Sequence, residues 1–217
     1  MAITDFATLK AKVQADCART DTTFGNQVED FISLAEDRIF NGVGDLNDPL
    51  YSEPLRSDEM VTRSTIAFTD GEGTIPADSV GVRSLSRESD RIGLEPLSVD
   101  AFELRLASGD GGNPRWYTIE GNTIRTAPGG YTGNLRILYY ARPSGITSTN
   151  TTNVVLTARP SIYLAATLFE AFSFMRDAVA QSHLARFRSL VSGANRTQRA
   201  NRRGGKTIAR ARVSIGS

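Results

Sequence analysis

The chain has 217 residues, of which 40% are hydrophobic and 23% are charged, and its formal net charge is +1. This length is sufficient for one large domain or two small ones with an apolar core. A run of about 18 apolar residues, which a membrane-spanning helix needs, does not occur, and the single cysteine, Cys17, excludes an internal disulfide framework and a cysteine-based zinc site.

The charges are distributed unevenly along the chain. Residues 1–177 contain 16 basic and 24 acidic residues, which gives a net charge of −8. Residues 178–217 contain nine basic residues and no acidic one, a net charge of +9. Such a basic C-terminal end predicts an acidic partner, either nucleic acid or an acidic protein surface.

Two amphipathic helices are predicted at the N-terminal end. The first spans residues 5–19, with Thr4 or Asp5 as its cap and with an apolar face that contains Phe6, Leu9, Val13 and Cys17. The second spans residues 26–41, where Asn26 and Glu29 resemble a capping box and Gly42 follows the last turn.

A loop without periodicity follows at residues 43–56. It carries four large apolar side chains: Leu46, Leu50, Tyr51 and Leu55. Apolar residues in a loop of this length are usually held against another surface, which here is either the same domain or a second subunit.

Residues 59–141 are predicted to be rich in antiparallel strands. The stretch "MVTRSTIAFT" alternates and ends at "DGEG", which is a hairpin turn signal. Three further strands are expected in "RWYTIE", "TIRTA" and "NLRILYYA", and a short helix is expected in "SVDAFELRLASG".

Helices return at residues 160–192, first in "TARPSIYLAATLFEAFSFM" and then in "AVAQSHLARFRSLVSG". Residues 193–217 are predicted to form an extended basic arm, in which "TIARARVSI" alternates and could pair with the edge of a partner's sheet. The sequence thus predicts an α+β fold, with residues 1–192 as a single domain.

Residues with catalytic or binding potential do not form a recognisable site. The stretch Gly-Gly-Lys-Thr at 204–207 lacks the first P-loop glycine, because Ala200 occupies that position. His183 is the only histidine and has no carboxylate or thiol within one helical turn. Trp116, Tyr117, Tyr139 and Tyr140 favour core or interface packing over base stacking. We therefore expect no enzyme activity, no cofactor and no metal.

Five stretches together resemble phage head-to-tail adaptor proteins, the connector subunits below the portal. They occur in the family's order over roughly residues 25–185: "DFISLAEDRIF", "IPADSVGVRSL", "NPRWYTIEGNTIRTAP", "ILYYARP" and "NVVLTARPSIYLAATLFEA".

This resemblance implies a structural protein of the virion neck, made in the host cytoplasm, with no catalytic residues. It implies a dodecameric ring of identical subunits that joins the portal to a tail or nozzle protein and through which DNA passes during ejection. An acidic bore would let DNA slide, because like charge offers no phosphate contacts.

The resemblance also suggests roles for two segments. The C-terminal arm is expected to bind the portal through Arg199, Arg202, Arg203, Lys206, Ile208, Arg210, Arg212, Val213 and Ile215. The loop residues Leu46, Leu50, Tyr51 and Leu55 are expected to contact a neighbouring copy or the next ring. The alternative function is a nucleic-acid-binding module that acts through the basic C-terminal tail.

Overall fold

The computed structural model describes residues 2–107 and 112–202. Two compact units make up the chain, rather than the single domain expected from the sequence. One unit comprises Met1–Asp58 and Arg159–Ser217, and we call it the helical unit; the other comprises Glu59–Ala158, and we call it the strand unit. The α+β class is confirmed, with helices at both ends of the chain and strands between them.

The first two helices are α1, Phe6–Asp16, and α2, Thr22–Asn41. Asp5 caps α1, because its carboxylate accepts a 2.8 Å hydrogen bond from the Thr8 amide. The predicted apolar face of α1 is buried as expected.

α2 begins four residues earlier than predicted, because Asp21 and not Asn26 is its cap. The Asp21 carboxylate accepts a 3.0 Å hydrogen bond from the Phe24 amide. Phe24 is buried, so the first turn is stabilised by packing as well as by the cap. The helix ends before Gly42, as predicted.

Two long helices complete the helical unit: α5, Pro160–Phe174, and α6, Ala180–Arg202. A short helix of the strand unit, α4, Val154–Ala158, precedes them. The sequence placed the return of helices at residue 160, and α5 begins there because proline lacks an amide hydrogen and fits the first turn. α5 packs against both α2 and α6.

α6 extends ten residues beyond the predicted end at residue 192. Its buried stripe continues from Leu184, Phe187 and Val191 to Ala194, Asn195 and Gln198. The extended arm expected to begin at residue 193 is therefore wrong for residues 193–202, which are helical.

The strand unit contains two sheets. In the first, β1 (Val61–Phe68) and β3 (Ser79–Arg87) flank β7 (Gly133–Ala141), and both pairings are antiparallel. The second has the order β2 (Glu72–Thr74), β6 (Thr123–Ala127), β5 (Trp116–Glu120) and β4 (Glu95–Pro96). Its pairings are antiparallel except for β4 with β5, which are parallel over two residues.

Both sheets contribute to one apolar core in the strand unit. The buried members are Ile66, Phe68, Leu85, Leu94, Tyr117, Ile124, Leu135, Ile137 and Tyr139. At Gly73, a Cβ atom would lie 2.7 Å from the Phe68 ring, so only glycine fits beneath it.

Two short helices also belong to this part of the chain. A 3-10 turn at Asp58–Met60 precedes β1, and helix α3 spans Val99–Ala107, where the sequence predicted a helix after Ser98. Within the described ranges, every helix is too short or too polar to cross a bilayer.

Candidate docking surface of the helical unit

Residues 43–58, which we call the docking loop, are closed at their base by a short backbone bridge. The Val43 amide donates to the Ser52 carbonyl at 3.1 Å, and the Ser52 amide donates to the Val43 carbonyl at 2.9 Å. Gly42 has φ +74°, and a Cβ atom there would lie 2.7 Å from the Ser52 carbonyl oxygen. Glycine is required at this point because both its backbone angle and the close approach exclude a side chain.

The second half of the docking loop is part of the helical unit's interior. The Leu55 amide donates a 2.7 Å hydrogen bond to the Ile39 carbonyl at the end of α2. The Leu55 side chain is fully buried. Leu55 was predicted to contact another subunit or ring; this is wrong, because its side chain has no accessible surface to offer.

The tip of the loop, residues 45–50, is ordered by its own aspartates. The Asp45 carboxylate accepts a 2.9 Å hydrogen bond from the Asn47 amide, and the Asp48 carboxylate accepts a 2.7 Å hydrogen bond from the Leu50 amide. Both are Asx turns, which hold the backbone in place without regular structure.

This tip displays apolar surface to solvent. Leu46 is 82% exposed and Leu50 is 41% exposed, whereas Tyr51 is half-buried. A leucine held outward by an ordered turn loses little conformational entropy on binding, which is favourable for a contact site. The geometry thus permits the expected contact at Leu46 and Leu50.

Polar side chains of α6 clamp the docking loop along its length. Asn195 accepts a 2.7 Å hydrogen bond from the Arg56 amide and donates a 3.0 Å hydrogen bond to the Pro54 carbonyl. Asn201 donates to the Asp58 carboxylate at 2.9 Å, and the Arg188 guanidinium donates to the Pro49 carbonyl. These contacts tie the loop to the helix at both ends of residues 49–58.

Only two members of the predicted portal-binding set lie among the described residues. Arg199 lies within α6, and its guanidinium is 3.5 Å from the Glu53 carboxylate of the docking loop. Arg202 is the last described residue of α6. The other members lie outside the described residues: Arg203, Lys206, Ile208, Arg210, Arg212, Val213 and Ile215.

A buried charged network supports the same loop from α2 and α5. Arg38 donates to the Glu170 carboxylate at 2.8 Å and to the Leu50 carbonyl at 3.3 Å, and its guanidinium lies 4.4 Å from the centre of the Phe169 ring. The Arg38 and Glu170 side chains are only 9% and 14% exposed. Arg38 thus connects two helices to the base of the exposed tip.

Comparison with known protein families identifies the family of the chain. Residues 4–212 match the model of the family described as SU10 adaptor protein. The chain belongs to the SU10 adaptor protein family. This is a family of phage head-to-tail adaptors, so the chain is a structural protein of the virion. No curated protein sequence matches it.

The residues that could suggest chemistry in this adaptor family member are placed in packing roles. Burial raises the pKa of the Cys17 thiol to about 11, which makes it a poor nucleophile. The His183 ring stacks on Phe172 with a centroid distance of 5.1 Å. The described residues contain no cluster of side chains suitable for a metal ion.

The aromatic strand residues are mostly buried. Tyr117, Tyr139 and Tyr140 are each no more than 5% exposed, and the Arg105 guanidinium lies 4.8 Å from the centre of the Trp116 ring. This agrees with the packing role favoured from the sequence. The Gly-Gly-Lys-Thr stretch at 204–207 lies outside the described residues.

Sequence reasoning missed the polar side chains that hold the docking surface together. Asn195 and Gln198 continue the helical spacing of Leu184, Phe187 and Val191, but as polar residues they do not register in an apolar pattern. Counting positions along α6 irrespective of polarity would have indicated that both face inward.

Proposed function

We propose that this adaptor family member forms a ring that docks beneath the portal, joins the capsid to the tail and contributes part of the DNA conduit. The family match, which runs from residue 4 to residue 212, is the observation that carries this proposal. We infer from the role of the family that the chain forms a ring, that it binds the portal and that it binds the tail.

The docking loop supports an assembly role. Its tip exposes Leu46 on an ordered turn, while Asn195 and Arg38 hold the base of the loop rigid. A preorganised apolar contact is typical of subunits that associate without large rearrangement. We propose Leu46 and Leu50 as contacts with a neighbouring copy or the next ring.

The charge distribution supports docking of the C-terminal end. The nine basic residues after position 177 are matched by no acidic residue in that segment. The described part of the chain ends on α6, whose last turn Asn201 fixes to Asp58. We propose that residues 203–217 reach the portal, with arginines facing portal carboxylates and residues 207–215 adding to the edge of a sheet.

Electron microscopy of the chain mixed with the portal protein of the same virus tests the proposal. We expect a ring of additional density on one face of the portal. A chain that ends at Arg202 should keep the clamp of the docking loop yet attach weakly, and the attachment of the full chain should weaken with added salt. A full-length chain that adds no density to the portal would contradict the proposed function.

The basic C-terminal segment also supports a second candidate function, binding of nucleic acid. A titration of the full chain with duplex DNA at low salt tests it, with the chain that ends at Arg202 as the matched control. Tight, salt-dependent binding that is lost in the control would favour this alternative, because phosphate contacts release counterions.

A further inference from the structure

The strand unit carries a basic pocket on the solvent face of the sheet formed by β1, β7 and β3. The pocket has a volume of about 220 Å³, and the side chains that line it include Arg63, Arg91, Arg136, Ser84 and Ser86. Arg136 lies opposite Ser86, and Arg63 lies opposite Leu138, so these residues share one face of the sheet. The core residues lie on the other face.

The three arginines of this basic pocket have no carboxylate partner within ion-pair distance among the described residues. Other arginines of the strand unit are paired: Arg125 contacts three glutamates, and Arg87 lies 2.7 Å from the Asp90 carboxylate. Three unpaired guanidinium groups around one concave surface, with two hydroxyls between them, form a site for an oxyanion.

The tip of the docking loop has the complementary properties. Asp45 and Asp48 have no basic partner among the described residues, and they flank Leu46, which is 82% exposed. The Asx turns use only Oδ1 of each carboxylate. The tip is held by its own hydrogen bonds and carries two carboxylates beside an exposed apolar side chain.

We propose that the tip of one copy enters the basic pocket of a neighbouring copy, with Asp45 and Asp48 facing the arginines and Leu46 against Leu138. The fit is one of charge and shape, because a projecting acidic loop meets a concave basic surface. The contact joins two different patches of the same chain, so it is heterologous and builds rings or filaments rather than closed dimers. This inference rests on the proposed ring-forming function and names the contact that forms the ring.

Other acidic surfaces of the chain fit the pocket less well. The solvent face of α2 carries Glu29, Asp30 and Asp37, but these residues lie along a regular helix and not on an exposed loop tip. Nucleic acid phosphates would also satisfy the arginines, and the DNA-binding measurement below distinguishes that occupant from the tip.

Disulfide trapping tests the contact directly. Leu46→Cys and Leu138→Cys are introduced together in a Cys17→Ala background, and the protein is oxidised and run on a non-reducing gel. We expect a ladder of linked oligomers. The matched control replaces Leu104, which is 76% exposed on α3, in place of Leu46, and should remain monomeric. A monomer in both samples, or equal ladders in both, would overturn the proposal.

Charge variants test whether the acidic tip of one copy meets the basic pocket of the next. Arg63→Glu with Arg136→Glu gives the pocket the same charge as the tip, and Asp45→Arg with Asp48→Arg gives the tip the same charge as the pocket. In the cysteine background, each set alone should lower trapping about tenfold. A mixture of the two should recover the ladder with the two variants alternating, because each tip then meets a pocket of opposite charge, and the chain that carries all four changes should recover it by itself. Trapping that the charge changes leave untouched would overturn the proposal.

Two controls keep these results interpretable. Circular dichroism and urea unfolding must show that each variant keeps the parent's fold; where the arginine reversals fail this, Arg63→Gln with Arg136→Gln replaces them. Asp45→Asn with Asp48→Asn removes the charge but keeps the Asx acceptors, so trapping should fall with the turn intact. Undiminished trapping in this variant would contradict the role of the carboxylates.

Portal-nucleated assembly separates this inference from the proposed function. If the parent chain forms rings on the portal and Arg63→Glu with Arg136→Glu forms them equally well, only the contact proposed here is wrong. If the parent chain does not bind the portal, the proposed function fails, whatever the trapping shows.

A pocket variant that loses DNA binding but keeps full trapping would assign the pocket to nucleic acid and overturn the proposal.

Discussion

At the level of single residues, the helical unit depends on polar side chains in buried positions. Asn195 is 3% exposed and bonds the backbone of the docking loop with both its oxygen and its nitrogen. Buried polar groups stabilise a protein only when they are paired, so an amide that bonds two backbone groups specifies the position of that backbone.

Asn195→Ala should destabilise the helical unit. The substitution removes the hydrogen bonds to the Arg56 amide and the Pro54 carbonyl, each of which contributes about 0.5–1.5 kcal/mol. Urea unfolding followed by circular dichroism measures the change. Arg196→Ala, at the neighbouring exposed position, is the control and should change stability by less than about 0.5 kcal/mol. Equal midpoints for the two variants would show that the clamp contributes nothing.

His183 should make stability depend on pH. Burial, and then the charge of Arg186, lower its pKa below the ordinary value of 6.5, while Asp16 acts in the opposite direction. The unfolded chain therefore binds a proton more readily than the folded chain, and stability falls as the pH drops below 6.5.

The measurement compares the urea unfolding midpoints of the parent chain and of His183→Gln at pH values above and below 6.5. The carboxylates titrate in both chains, so the difference between the two isolates the histidine. The parent should lose more stability on acidification than the variant. The reverse order, or parallel curves, would contradict the lowered pKa.

At the level of elements, α2, α5 and α6 are positioned by contacts far apart in the sequence. The Arg38–Glu170 pair joins α2 to α5 in a largely buried setting, and Tyr163 of α5 donates a 3.0 Å hydrogen bond to the buried Glu36 of α2. Such pairs are costly to break, because a lone buried charge is poorly solvated.

Glu170→Ala should cost about 3–5 kcal/mol, because it leaves the Arg38 charge without its partner. The double variant Arg38→Met with Glu170→Leu should cost less than the sum of its single changes, which a double-mutant cycle by urea unfolding would measure. Arg19→Ala is the control, since the Arg19–Asp21 pair is about half exposed and such surface pairs contribute little to stability. Additive single changes would show that the two side chains act independently.

The C-terminal half of α6 should contribute to stability. A chain that ends at residue 192 loses the buried residues Ala194, Asn195 and Gln198, whereas a chain that ends at Arg202 keeps them. Thermal unfolding should therefore occur at a lower temperature in the shorter chain than in the longer one. Equal unfolding temperatures would mean that residues 193–202 do not stabilise the helical unit.

At the scale of the whole molecule, the strand unit is an insertion between the two parts of the helical unit. Its core contains side chains from both of its own sheets, with Leu85, Leu135 and Ile137 fully buried. A segment that supplies its own core residues has the property of an independently folding domain.

The fragment 59–158 should therefore fold alone, with a strand-rich circular dichroism spectrum and a cooperative urea transition. Leu135→Ala should lower its stability by about 2–5 kcal/mol, because the cavity forms where both sheets pack. Thr65→Ala, at an exposed position of β1, should change little. A fragment that is unfolded under native conditions would contradict this independence.

The sequence by itself determined the fold class, the family resemblance and most of the regular elements. Local patterns predicted these elements: polar and apolar residues alternate in β1, β5, β6 and β7, and α1 and α2 each have an apolar face. Such patterns arise because one face of each element is buried. The resemblance to phage head-to-tail adaptors was confirmed by the family match. The charge asymmetry is likewise a property of composition, independent of the fold.

Only the tertiary structure decided that α6 continues past residue 192 and which loop residues are exposed. Asn195 is a helix-neutral polar residue, and it is buried where it bonds the docking loop, which lies about 140 positions away in the chain. Leu46 and Leu55 are chemically alike, yet one is exposed and the other is buried, because only Leu55 lies where its amide meets the Ile39 carbonyl. Contacts between distant segments set these outcomes, and no local pattern encodes them.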